Sequence, residues 1–152
     1  MAEASRRSGK RSGGKESIAK RPPDYQTTLY LDENLCDCVQ ILNVLREASF
    51  PFERHLEHFR RGTPDADWLP LTGEKGWAVL TKDKALRYNP LEKAKIIEHK
   101  LKIFAFSSGN LSGKDMATLL KVNLRRLDRY ARSHRAPFVA SISRNAINGR
   151  AL

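Results

Sequence analysis

The sequence predicts an α/β protein in which helices cover both faces of a mainly parallel central sheet. Short β-forming runs alternate with helical stretches along the chain, the pattern of a layered α/β fold. Two of those runs close on an acid, Asp32 after Leu31 and Asp83 after Thr81-Lys82. In an open parallel sheet, ligands bind beyond the carboxyl ends of the strands. The chain is also strongly basic, with 28 Lys+Arg against 17 Asp+Glu and a formal charge of +11. An acidic pocket in such a chain points to phosphodiester chemistry: the surface attracts a polyanion, and the acids hold a hard cation that polarises the phosphate.

Residues 27–31 are rich in β-formers and read as the first strand. Leu35, Cys38, Val39, Ile41, Leu42, Leu45 and Ala48 have the three-to-four spacing of an amphipathic helix over 35–48. Residues 51–55 read as a short second strand, 58–64 as a loop and 65–72 as a short helix that begins at Asp65. A third strand covers 77–81, and a helix follows over 91–99, with Pro90 at a tolerated first-turn position. Residues 101–106 form a fourth strand and 107–113 a turn. The longest helix spans 112–134, and Ser112 with Asp115 resembles a capping box at its start. Met116, Leu119, Leu120, Leu124, Leu127 and Ala131 make its buried stripe, with Lys114, Lys121, Arg125 and Arg132 opposite, as a solvated face or an RNA contact. Residues 137–142 read as the last strand.

Residues 1–24 differ in kind. Arg6, Arg7, Lys10, Arg11, Lys15, Lys20 and Arg21 are interleaved with Ser and Gly, and apolar residues are scarce. Such a segment cannot bury enough surface to offset its ordering entropy. The expected organisation is a basic disordered tail, 1–24, and one folded domain, 25–152. No apolar stretch approaches the roughly 20 residues needed to cross a bilayer, and the basic start lacks the apolar core of a secretory signal. A cytoplasmic protein with no membrane contact is expected. Cys36 and Cys38 do not form a C-x-x-C pair and read as one core and one surface thiol, on nearly opposite faces of the helix. His55-Leu56-Glu57-His58 could bind a transition metal, but no matching Cys or His cluster accompanies it.

Each aspartate has an ordinary reading. Asp32 could cap the first helix, Asp65 the helix after Pro64, and Asp83 could open a turn. Their joint placement carries the functional reading, because clustered carboxylates repel one another unless a cation or a raised pKa relieves them.

Leu31-Asp32-Glu33-Asn34-Leu35, Gly62-Thr63-Pro64-Asp65-Ala66-Asp67-Trp68-Leu69 and Val79-Leu80-Thr81-Lys82-Asp83-Lys84 resemble the PIN-domain superfamily, in particular the compact PIN-like group of VapC-type toxin nucleases. The resemblance spans residues 27–144. It implies a three-layer PIN-like sandwich with a mainly parallel sheet, and a catalytic and metal-binding set of Asp32, Asp65 and Asp83. Asn110 falls where many such nucleases carry a fourth acid. The resemblance further implies Mg²⁺ or Mn²⁺ as cofactor, endoribonuclease activity, and the role of toxin in a toxin–antitoxin pair. RNA, an antitoxin protein and a second copy of the chain are the expected partners. Lys82, Lys84 and Arg61 are candidate phosphate-binding residues. Two other classes compete: a catalytically inactive PIN-like module that only binds nucleic acid, and a receiver-type domain using aspartates for phosphoryl transfer. The receiver reading is disfavoured because the acids fall on separate segments, with no adjacent pair after the first strand in the expected Asp-Asp form.

Overall fold

The computed structural model describes residues 24–83 and 90–152. Apart from Asp24, the expected tail lies outside these residues, as does Lys84. In chain order the elements are β1 (Leu29–Leu31), α1 (Val39–Glu47), β2 (Phe52–Arg54), a 3₁₀ turn (His55–Glu57), α2 (Asp65–Lys75), β3 (Ala78–Thr81), α3 (Pro90–Glu98), β4 (Lys102–Phe106), α4 (Gly113–Ser133), β5 (Phe138–Ser143) and β6 (Ala146–Arg150). They form one sheet in the order β2-β1-β3-β4-β5-β6. Every pairing is parallel except β5 with β6. The chain steps from β1 outward to β2, then returns to β3 on the other side of β1. That reversal opens a crevice at the carboxyl ends of β1 and β3.

Side chains alternate across the strands, so consecutive residues feed different cores. Leu29, Leu31, Ala78, Leu80, Phe104, Phe106, Phe138, Ala140 and Ile142 face α1 and α4, packing on Ile41, Leu42, Leu45, Met116, Leu120, Leu124 and Leu127. Tyr30, Val79, Ile103 and Val139 face the other way, onto Trp68 and Leu69 of α2 and Ile96 of α3. The fold is therefore a three-layer α/β sandwich with a mainly parallel sheet. Burial on both faces explains why β1, β3 and β4 carry apolar runs instead of a polar–apolar alternation.

The long helix carries the capping box that its sequence suggests. The Asp115 amide donates to Ser112 Oγ at 3.1 Å, and the Ser112 amide to Asp115 Oδ2 at 3.5 Å. Met116, Leu120, Leu124, Leu127 and Ala131 are buried and Leu119 is half-buried, while Lys114, Lys121, Arg125 and Arg132 are exposed. Its buried Asp128 accepts the amides of Gln26 and Thr27 at 3.1 and 2.9 Å and pairs with Arg132 at 3.0 Å. Burial alone would raise its pKa; the bonds from Thr27, Arg132 and Gln26 outweigh that and lower it. This carboxylate fastens the segment just before β1 to α4.

Several boundaries differ from the sequence expectation. The first helix begins at Val39 instead of Leu35, because residues 33–37 are bent into turns. Their amides answer to Asp32: its carbonyl accepts those of Leu35 and Cys36 at 3.0 and 2.9 Å. Cys36 is therefore buried and Cys38 half-buried just ahead of the helix, which replaces the opposite-face reading. Helix α2 runs on to Lys75 with Pro70 inside it, and ends at Gly76 in the left-handed conformation, φ 72°. Gly73 lets α2 pass close to the end of α3: a Cβ there would lie 2.2 Å from the His99 carbonyl oxygen. Strand β6 has no counterpart in the sequence expectation; its side chains are half-buried or exposed, so it carries no apolar signature.

Candidate active site

Asp32 and Asp83 lie just beyond the ends of β1 and β3, and Asp65 starts α2. The three line one cavity of about 200 Å³, together with Glu33, Asn34, Thr63 and Trp68. Asp32 is its buried floor. Its Oδ1 accepts the amides of Asn34 and Leu35, each at 3.1 Å, so Asp32 caps a turn and not α1. Its Oδ2 accepts the Thr81 hydroxyl at 2.6 Å, and Thr81 Oγ1 in turn accepts the Asp83 amide at 3.0 Å. One buried threonine thus ties β1 to the turn after β3.

Burial pushes the Asp32 carboxyl up, from 3.8 to about 6; the nearby Asp83 adds to the rise, and the Thr81, Leu35 and Asn34 bonds oppose it. A carboxylate that retains a pKa near 6 despite three donors is under-compensated, and a cation would relieve it. Asp65 sits in the first turn of α2, where the helix dipole favours negative charge. Trp68 Nε1 donates to its Oδ1 at 3.1 Å.

Glu33 is the acid that sequence reasoning missed, although it stands in the same Leu-Asp-Glu-Asn-Leu block. Its Oε1 accepts the Gly62 amide at 2.8 Å and lies 3.8 Å from Nε2 of His55. His55 is fully buried; its Nδ1 is 2.6 Å from the Tyr30 hydroxyl, and its Nε2 has no hydrogen-bond partner among the described residues. Burial lowers its pKa, with Glu33 opposing. The His55-Leu56-Glu57-His58 segment is therefore a core histidine behind the cleft and an outer one, His58, bonded to Glu53 at 2.7 Å. Thr81 also escapes a reading by sequence alone, though Thr81-Lys82-Asp83 fits a turn in which a hydroxyl accepts the amide two residues on.

Other expected residues lie elsewhere. Asn110 is exposed in the loop after β4, where its amide approaches Ser108 Oγ at 3.4 Å, and it does not line the cavity. Arg61 is paired with Asp37 at 2.8 Å, which also holds Arg54. Lys82 is exposed beside Asp83. Among the described residues, no three His, Cys, Asp or Glu side chains are gathered closely enough to hold a metal ion. The donor chemistry of the cleft nonetheless suits a hard cation, since Asp32, Glu33, Asp65 and Asp83 supply oxygen ligands alone.

A family described as a PIN like domain matches residues 27–108, more than half of the chain. The chain belongs to that family. It is also 25% identical over 118 residues to a Mycobacterium tuberculosis protein named "Putative ribonuclease VapC45", a match covering 75% of this chain and 84% of that protein. No solved structure matches. The family match spans β1 through β4, and so includes Asp32, Glu33, Asp65, Thr81 and Asp83. No helix among the described residues is long and apolar enough to cross a membrane.

Proposed function

We propose that this PIN-like protein is a divalent-metal-dependent endoribonuclease and the toxin of a toxin–antitoxin pair. The observation that carries the reading is the meeting of Asp32, Asp65 and Asp83 in one cavity at the reversal of strand order, in a chain of charge +11. Family membership and the relative named as a ribonuclease support the nuclease class. Asp32, Asp65 and Asp83 would hold Mg²⁺ or Mn²⁺, with Glu33 supplying a fourth carboxylate in place of the acid that Asn110 replaces in the sequence. When bound, the cation offsets charge developing on the scissile phosphate and makes water a better nucleophile.

The protein's own groups set the geometry for that chemistry. Thr81 fixes the rotamer of Asp32 and the position of the Asp83 amide. The Gly62 amide holds Glu33 toward the cleft, and Trp68 anchors Asp65. Lys82 stands at the rim to meet a flanking phosphate, and Lys84 keeps the same assignment; Arg61 would reach substrate only by leaving Asp37. RNA in the cytoplasm, an antitoxin and a second copy of the chain complete the reading.

The test is RNA cleavage by the full chain with Mg²⁺ or Mn²⁺, beside an EDTA control and Asp32→Asn. Cleavage that needs the cation and falls at least about 100-fold in Asp32→Asn is the expected result, several kcal/mol being the usual contribution of such a cation. RNA that is bound but left intact with either metal would establish the inactive binding module instead.

A further inference from the structure

At the opposite end of the sheet from the acids, a groove of about 820 Å³ is lined by the cations Lys75, Lys100, Lys102, Arg132 and Arg135, with His134 beside them. Among the described residues no Asp or Glu lines it. Arg132 is partly offset by Asp128 at 3.0 Å. Basic residues often collect where helices end, because each helix carboxyl end bears about half a negative charge. Here α2, α3 and α4 end at the groove, and three such half-charges together with Asp128 leave five cations under-compensated.

The helix ends also place the lining. Helices α2 and α3 end in the same way at this groove, each through a left-handed residue. In α2 it is Gly76, φ 72°, and in α3 it is Lys100, φ 53°. The Lys100 and Leu101 amides close α3 onto Ile97 and Ile96 at 3.3 and 2.9 Å. Glycine suits such a position and L side chains rarely adopt it. Ser49 ends α1 in the same way at φ 55°, so the cap itself is ordinary, and what distinguishes Lys100 is the cation it carries at the rim of the groove.

We propose that this groove binds the phosphate backbone of a single RNA strand whose other end occupies the acidic cleft. The inference rests on the ribonuclease reading of that cleft. Polar lining favours a nucleic-acid backbone over a protein partner. None of the exposed large apolar residues, Val39, Leu91, Ile97, Val122 and Leu152, borders the groove, whereas protein interfaces are built around buried apolar anchors. Lys102 opens β4 and Phe106 closes it, which puts groove and cleft roughly 13 Å apart through the sheet at about 3.3 Å per residue. Helices cover both faces, so a strand joining the two must pass around a helix about 10–12 Å across, and only an RNA well beyond four nucleotides touches both.

The test compares binding of a 20-nucleotide and a 4-nucleotide RNA of mixed sequence, at several salt concentrations, in an Asp32→Asn background that prevents cleavage. The groove variant combines Lys75→Ala, Lys100→Gly, Lys102→Ala and Arg135→Ala, all outside the core. We expect the long RNA to bind at least about tenfold more weakly at low salt, with the salt slope reduced by about 0.7 for each phosphate that is no longer neutralised. The short RNA should bind within about twofold of the parent. Lys100→Gly alone should raise the thermal midpoint while weakening the long RNA, separating backbone strain from charge. Equal losses for both lengths, an unchanged long RNA, or displacement of the long RNA by polyglutamate at equal charge would overturn the groove assignment alone. A parent protein that binds neither RNA would overturn the ribonuclease reading and the groove with it.

Discussion

Between the sheet and helices α1 and α4 lies an aliphatic and phenylalanine core that runs the length of α4. Between the sheet and helices α2 and α3 the filling is smaller and aromatic. Tyr30 stacks on Trp68 and Trp77 at 5.4 and 5.8 Å, and His55 is wedged against Trp68 and Phe59. The second face borders the cleft, and its rings carry polar ends: Tyr30 reaches His55, His55 faces Glu33, and Trp68 reaches Asp65. The contrast teaches a division of labour. Non-directional burial on one face supplies most of the stability, whereas directional bonds on the other aim the acids.

The sharpest way to break that division is Leu120→Ala in the fully buried stripe of α4. It should lower unfolding free energy by about 2–5 kcal/mol in denaturant titration, while turnover per folded molecule stays near wild type. A comparable fall in turnover would show that the two faces are coupled.

Asp32 gives the opposite kind of effect, and its sign follows from its raised pKa. Its folded value is about 6, against about 3.9 unfolded. Below both values it contributes nothing to the pH dependence. Between them the folded state binds the extra proton, so stability falls as pH climbs from about 4 to 6. Above 6 the ionised group costs about 3 kcal/mol, from roughly two pKa units at about 1.4 kcal/mol each. Asp32→Asn should flatten that part of the thermal-midpoint profile, and Mg²⁺ or Mn²⁺ should raise the wild-type midpoint at pH 7. Asp128 works below this window: its lowered pKa gives stability that is present above about 3.9 and lost as pH falls through the folded value.

What can be read from the sequence follows from what local patterns encode. Strand ends are legible because apolar runs stop where Asp32 and Asp83 begin, and α4 is legible because its stripe repeats over the whole helix. The start of α1 is not, since Leu35 and Cys38 continue the helical spacing while the Asp32 carboxylate and carbonyl bend the chain below them. Strand β6 is invisible in a polar, glycine-containing segment that is held by pairing with β5. Glu33 escapes notice because its place in the cleft depends on a long-range bond to Gly62. Asn110 stands at the expected position after a strand, but its loop places it outside the cavity.

The smallest expected effect lies outside both faces. Deleting residues 1–24 should shift the thermal midpoint by less than about 1 °C, because that segment is poor in apolar residues and, among the described residues, Tyr25 already packs on Phe50 at 4.5 Å and the amides of Gln26 and Thr27 bind Asp128. Metal dependence should persist, and RNA affinity should fall only at low salt, where exposed charges act at range. A large loss of stability would move the domain boundary upstream.

Every neighbour bonded to Asp32 in the cleft is a donor: two amides on Oδ1 and the Thr81 hydroxyl on Oδ2. A proton arriving on Oδ2 can take the lone pair that the Thr81 hydrogen leaves free, whereas one on Oδ1 must evict an amide. The joint between β1 and the turn after β3 can therefore keep its three donors in either charge state, and what ionisation adds is a buried negative charge at a net cost to the fold. Below about pH 6 the protein grows steadier while the floor of the cleft loses its charge, so the charge that suits this cleft to a cation is held against the stability of the fold.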